Sequence, residues 1–222
     1  MVNELLPCVE VDPPRPAVAS VVWMHGLGAD GHDFASVPPQ LGLPSDLPVR
    51  YVFPHAPKIP VTINMGFVMP AWYDITSLDS RGQDEEGIER SAEQIRRLVE
   101  RERSSGIPAE KIVLAGFSQG GAMALHTGLR YPETLAGIMV LSAYLLLPDR
   151  LGQDASEANR KTPIFQAHGL HDPMVQLEYG QRTRAHLEDQ GYDVEWHDYP
   201  MPHSVCPEEI HEIGRWLTRV LS

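Results

Sequence analysis

KIVLAGFSQGGAMALHTGL, residues 111–129, changes periodicity at a single residue. Residues 111–117 are short, apolar and β-branched, the composition of a buried strand. Residues 122–129 carry no breaker until Gly128 and read as a helix, with Ser118 at the junction. Gly116, Ser118 and Gly120 fit G-x-S-x-G, and an entering strand with a departing helix is the setting a nucleophile elbow requires. The sharp turn strains the Ser118 backbone and presents its Oγ at the carboxyl edge of the sheet, while the glycines leave room for neighbouring chain. The competing reading of the same pattern is a Gly-rich turn whose serine caps the helix.

Outward from this junction the alternation repeats. Strands are predicted at 18–24, ending at His25-Gly26, and at 49–53, ending at Pro54. Further strands are expected at 135–141, 163–167 and 194–199. Between 84 and 103, Ile88, Ala92, Ile95, Leu98 and Val99 recur at steps of three and four, which places them on one helical face. Helices are also predicted at 175–190 and 208–221, the latter with a stripe of Ile210, Ile213, Trp216, Leu217 and Val220. Strands alternating with helices predict an α/β fold with a mostly parallel central sheet flanked by helices, organised as a single domain over 1–222. Residues 56–81 resist this scheme: they lack periodicity yet hold Met65, Phe67, Met69, Trp72 and Tyr73. Loops this long in a compact domain are functional or disordered, and the aromatic content argues against disorder.

The 222 residues carry 18 Lys+Arg against 30 Asp+Glu, a formal charge of −12, which repels nucleic-acid phosphates and anionic membranes. A nucleic-acid partner is therefore excluded. The 42% hydrophobic content is enough to bury a sizeable core. The longest apolar stretch, 138–147, is about half of a membrane span, and the opening MVNELLPCVEVDPPRP lacks a signal-peptide pattern. The expectation is a soluble, cytoplasmic protein. Cys8 and Cys206 match no metal-ligand spacing, and a single bridge between them stays open.

A serine hydroxyl needs a base within hydrogen-bond reach and an acid that orients the base. In this arrangement the chain order is Ser, then Asp or Glu, then His. Asp172 follows the strand at 163–167 in AHGLHDPMV, and His203 follows the strand at 194–199 in YPMPHSV. His197 and Asp198 fall inside the last strand, Asp189 and Asp193 are further carboxylates nearby, and His168 and His171 precede Asp172 and would reverse the order. His168, His171 and Asp172 also read as a fragment of a metal site, though no further ligand cluster stands at motif spacing. Negative charge developing on an acyl carbonyl oxygen calls for backbone N–H donors. The elbow supplies Gln119 N–H, and the loop His25-Gly26-Leu27-Gly28 supplies Leu27 N–H.

HGLGADGHDF (25–34), PAWYDI (70–75), GFSQGGAMAL (116–125), HGLHDPMV (168–175) and HSVCPEEI (203–210) together resemble the bacterial carboxylesterase and acyl-protein thioesterase family of α/β-hydrolases. The blocks stand in family order and span nearly the whole chain. The resemblance implies a catalytic triad of Ser118, Asp172 and His203, oxyanion donors Leu27 and Gln119, and an active-site flap at about 56–81 over an acyl channel. It implies acyl-chain contacts at Met65, Phe67, Met69 and Trp72, and chemistry that needs neither metal nor organic cofactor. Many members carry a Gly-Gly pair early in the flap where this chain reads Asn64-Met65-Gly66-Phe67, a departure that bears on substrate preference. Cys206 looks like a family residue rather than a nucleophile.

The function so implied is that of a serine carboxylesterase acting on short- to medium-chain acyl esters through an acyl-enzyme on Ser118. The alternative is an acyl-protein thioesterase or lysophospholipase, and, from another class, a non-catalytic ligand-binding protein on the same scaffold. The expected partners are small or lipid-like acyl esters and acylated proteins. No cap-sized insertion is visible between Leu135 and Pro163. The apolar residues of the flap would serve either substrate or a homodimer.

Overall fold

The computed structural model describes residues 5–76 and 83–222. Strands β1 (Cys8–Val11), β2 (Ala19–Met24) and β3 (Val49–Pro54) are followed by a hairpin of β4 (Lys58–Val61) and β5 (Phe67–Pro70). Helix α1 (Glu85–Ser104) leads into β6 (Ile112–Phe117), α2 (Gln119–Leu129) and β7 (Gly137–Leu141). The chain then runs through short α3 (Leu151–Asp154), β8 (Ile164–Gly169), α4 (Leu177–Asp189), β9 (Val194–Tyr199) and α5 (Pro207–Leu221).

Seven strands form one sheet in the order β1-β3-β2-β6-β7-β8-β9. Every neighbouring pair is parallel except β1 with β3, so the sheet is of the predicted kind, with an antiparallel edge strand added. Alternate side chains of β6 serve opposite faces, as the pleat requires. Ile112 and Leu114 enter a core shared with Ile88, Ile95 and Leu98 of α1 and Leu125 of α2. Val113 and Ala115 enter the opposite core, with Trp23, Phe165 and Ile213, Trp216 and Leu217 of α5. With both faces covered, β2 and β7 are buried along their whole length, which is why they read as unbroken apolar runs.

The sequence reading missed three strands. β1 is four residues long, lies at the sheet edge and is only partly buried, so it has no apolar signature. β4 and β5 fall in the segment that showed no periodicity; each contains a proline and together they form a separate two-stranded sheet paired Val61 to Phe67 through Lys58 to Pro70. The segment expected to form a flap holds an antiparallel hairpin, and its residues 77–81 lie outside the described residues. Helix α2 starts at Gln119, not Ala122, and absorbs Gly120 and Gly121. Those glycines are there for packing: a Cβ on Gly120 would lie 2.3 Å from the Met24 carbonyl oxygen, and one on Gly116 would lie 2.2 Å from Gly120 backbone atoms. Cys8 and Cys206 are both free thiols, so the open question of a bridge is answered.

Candidate active site

The site lies at the carboxyl ends of β6, β8 and β9. β6 stops at Phe117, and Ser118 turns the chain with φ 54° and ψ −123° before α2 begins. This is a conformation L-residues avoid, at a cost on the order of 1–3 kcal/mol. It is held by the Ser118 N–H, which donates to the Leu141 carbonyl at 2.8 Å, and by the Ser118 carbonyl, which accepts from Ala122 N–H at 3.0 Å.

Asp172 and His203 occupy the loops after β8 and β9, and backbone bonds zip those loops together. Leu170 N–H donates to Tyr199 O at 2.8 Å and His171 N–H to Met201 O at 3.1 Å. Gly169 permits the approach, since a Cβ there would stand 2.5 Å from the carbonyl oxygens of Met201 and Pro202. The two loops carry Asp172 Oδ2 to within 2.6 Å of His203 Nδ1, and His203 Nε2 to within 2.9 Å of Ser118 Oγ. Asp172 Oδ1 accepts from the Met174 and Val175 N–H groups at 2.8 and 2.9 Å, which fixes the buried carboxylate. Phe117 supports the imidazole, with ring centroids 4.7 Å apart.

The alternative acid and base residues fall elsewhere. His197 stays in β9, stacked on Phe165 and bonded to Glu195, and Asp198 accepts from Trp196 Nε1. His171 is exposed. His168 is buried, its Nε2 is engaged by the Val175 carbonyl at 2.8 Å, and burial lowers its pKa, so it serves as a neutral strut under the Asp172 loop. Elsewhere Asp30, His32 and His55 bring ligand-type atoms within 4.8 Å of one another. Asp30 and His32 bond each other and His55 Nδ1 accepts the Gly31 N–H, so these atoms already have partners.

His25 was not singled out by the sequence reading, yet it organises the first loop. Its Nε2 accepts from Ala56 N–H at 3.1 Å, while its Nδ1 faces the Gly26 carbonyl at 2.7 Å. That pairing demands the neutral Nδ1–H tautomer, and burial lowers the His25 pKa in the same sense. Trp72 Nε1 bonds the His25 carbonyl at 2.9 Å, and Gly28 N–H bonds the Pro70 carbonyl at 2.9 Å. The signal for His25 in the sequence was only its place at a strand end.

Leu27, Ser118, Gln119 and His203 line one cavity of about 520 Å³, whose wall continues through Ile63, Asn64, Met69, Ile75, Tyr144 and Met174. Of the four residues expected as acyl contacts, Met69 lies in this wall and the other three do not. Trp72 is fully buried and works as a clamp; Met65 and Phe67 are 87% and 63% exposed at the hairpin tip. The reason is position along β5: Phe67 and Met69 share a face of the strand, but Phe67 stands at the exposed tip end and Met69 nearer the base, where the strand becomes partly buried. Gln119 is doubly placed. Its backbone opens α2, and its buried amide accepts from Trp72 N–H at 2.9 Å and donates to Tyr73 O at 2.8 Å, tying the hairpin base to the elbow.

The sheet order, the strained elbow and the two loops beyond it are those of an α/β-hydrolase. The phospholipase/carboxylesterase family model matches residues 7–221, and the chain belongs to that family of hydrolytic enzymes. It is 45% identical over 220 residues to acyl-protein thioesterase 1 of Neurospora crassa, covering 93% of this chain and 90% of that one. Identity to acyl-protein thioesterase 1 of Mycosarcoma maydis is 41% over 227 residues, covering 94% and 95% of the two chains. The crystal structure of Zea mays acyl-protein thioesterase 2 superposes with a TM-score of 0.86 at 30% identity, covering 97% of this chain and 99% of that one. Among the described residues no helix is long and apolar enough to cross a membrane.

Proposed function

We propose that the protein is a serine hydrolase of long or medium acyl thioesters and esters, acting through an acyl-enzyme on Ser118. The observation that carries this reading is the unbroken row Ser118 Oγ, His203, Asp172, at 2.9 and 2.6 Å, opening on an apolar cavity. His203 Nε2 takes the Ser118 proton as Oγ attacks the carbonyl carbon, and Leu27 and Gln119 N–H groups receive the oxyanion. Collapse breaks the bond to the leaving sulfur or oxygen, which collects the proton from His203. Water, deprotonated by the same imidazole, then releases the acid and restores Ser118. Asp172 holds His203 with its proton on Nδ1 throughout. Neither step uses a metal or cofactor.

The thioester reading stands ahead of the small-ester one because the fungal relatives are acyl-protein thioesterases and the cavity wall is built from Ile63, Met69, Ile75 and Met174. The two free thiols fit a reducing compartment, and the reading places the enzyme in the cytoplasm. Initial rates on p-nitrophenyl esters from acetate to palmitate, beside the matching acyl thioesters, test it, with and without EDTA. The expected result is EDTA-insensitive turnover that rises toward longer chains, fluorophosphonate labelling of the wild type, and loss of both turnover and labelling in a folded Ser118→Ala variant. An active alanine variant would refute the mechanism, and a preference for acetate would return the small-ester alternative.

A further inference from the structure

Trp72 is fully buried and stands outside the cavity wall, yet both of its N–H groups reach the loops that flank Ser118. The indole Nε1–H donates to the His25 carbonyl at 2.9 Å, two residues before Leu27, and the two rings lie 5.3 Å apart. The backbone N–H donates to Gln119 Oε1 at 2.9 Å, and the Gln119 amide returns a bond to the Tyr73 carbonyl at 2.8 Å. On the far side of Leu27, Gly28 N–H donates to the Pro70 carbonyl at 2.9 Å. Residues 70–73 thus form a strap that bonds the chain on both sides of Leu27 and the side chain of Gln119, the two oxyanion donors of the mechanism proposed above.

Those donors stand on separate loops, one after β2 and one after β6. Both residues line the cavity beside Ser118, and among the described residues neither N–H has a protein acceptor. Packing limits how closely the loops approach, since a Cβ on Gly26 would already stand 3.4 Å from Ser118 Cβ. Packing does not stop them from parting. The ladder between β2 and β6 ends at Met24 and Gly116, so no rung of it reaches Leu27 or Gln119. The strap supplies the missing tie. An oxyanion shared by two donors is sensitive to their separation, because hydrogen bonds weaken steeply with distance and angle.

We infer that Trp72 is a positioning residue for acyl transfer: through its indole and backbone N–H groups it sets the spacing of the two oxyanion donors without touching substrate. The inference rests on the acyl-hydrolase reading above and deepens it. The oxyanion exists in the tetrahedral intermediate and the transition states around it, not in bound substrate, so the effect falls on kcat rather than on KM.

The test uses Trp72→Phe, which loses the indole donor, and Gln119→Met, which cuts the strap from the other side and keeps the backbone N–H. Beside kcat and KM on an acyl thioester, it reads the affinity of an alkyl trifluoromethyl ketone. Ser118 Oγ adds to the ketone carbon, its proton passes to His203, and the carbonyl π pair becomes an oxyanion in the hole, so this inhibitor senses the donors directly. In each variant kcat is expected to fall about 10- to 100-fold, the ketone to bind more weakly by a similar factor, and KM to stay within about twofold. The double variant should lose little more than either single one, because both cut the same strap. A kcat within about twofold of wild type, or any loss that leaves ketone affinity unchanged, overturns the role of Trp72. Should Phe prevent folding, β-(3-benzothienyl)alanine at position 72 keeps the ring and lacks only the N–H, and the same readings decide. A wild type that turns over neither ester nor thioester and takes no fluorophosphonate label removes the hydrolase reading and this inference together; an active wild type with unaffected variants removes this inference alone.

Discussion

Asp172 divides its two oxygens between two tasks, and the division predicts what an isosteric amide would do. Oδ1 accepts two backbone N–H groups of its own loop, and Oδ2 faces His203 Nδ1. An asparagine must keep its oxygen toward Met174 and Val175, because an NH₂ there would meet two donors. Its NH₂ then points at Nδ1 and forces the imidazole proton onto Nε2, where it blocks transfer from Ser118. Asp172→Asn is therefore expected to lower kcat roughly 10³- to 10⁴-fold with the thermal midpoint nearly unchanged. A loss under tenfold would show that the Asp172–His203 bond is not what sets the tautomer. At this scale much was legible beforehand: the order of Ser118, Asp172 and His203 and their places at strand ends followed from the chain alone. His25 was not, because its role consists of bonds to Ala56 and Gly26 that no spacing rule encodes.

The hairpin of β4 and β5 carries backbone strain of its own, away from the elbow. Its turn places Met65 at φ 56° and Gly66 at φ 77°, two successive left-handed residues, one of them bearing a large side chain. The side chain is 87% exposed and gains little from packing, so the left-handed cost of roughly 1 kcal/mol stays largely uncompensated. Thermal midpoints should accordingly rank Met65→Gly above wild type and wild type above Met65→Val, since β-branching makes the conformation worse still. A valine variant as stable as wild type would mean that the turn relaxes. Helices and interior strands were legible here because two-sided burial writes apolar periodicity into them. The hairpin was not: it is short, proline-bearing, closed on itself by Thr62 with Asp74, and tied to the body by Gln119 with Trp72 and Tyr73, a contact between distant segments.

Across the whole molecule, the face of the sheet covered by α5 stores a titratable group unrelated to the chemistry. Glu209, in the first turn of that helix, is fully buried, and burial pushes its pKa up to about 8 against the lowering effect of the Cys206 backbone N–H. An acid whose folded pKa exceeds its unfolded value keeps its proton better in the folded state. Its contribution is complete below about 4.5 and is lost as pH rises through about 8. Glu209→Gln removes the titration. The midpoint of the variant relative to wild type should therefore increase between pH 5 and pH 8; a difference constant with pH would place the carboxyl in contact with water.

What the sequence determined by itself is the α/β class, the elbow at Ser118 and the order of the residues around it. Each is written locally, in two-sided apolar strands, a strand-to-helix switch and turn residues at strand ends. Only the tertiary structure decided which side chains line the cavity. Phe67 and Met69 are two residues apart in one short strand, and Trp72 follows closely. Yet Met69 enters the cavity wall, Phe67 is exposed at the tip, and Trp72 is buried against His25. Composition marks all three as apolar; Phe67 and Met69 even share a face of β5, and what separates them is that the strand runs from an exposed tip to a partly buried base, beyond which Gln119, 47 residues away, clamps Trp72.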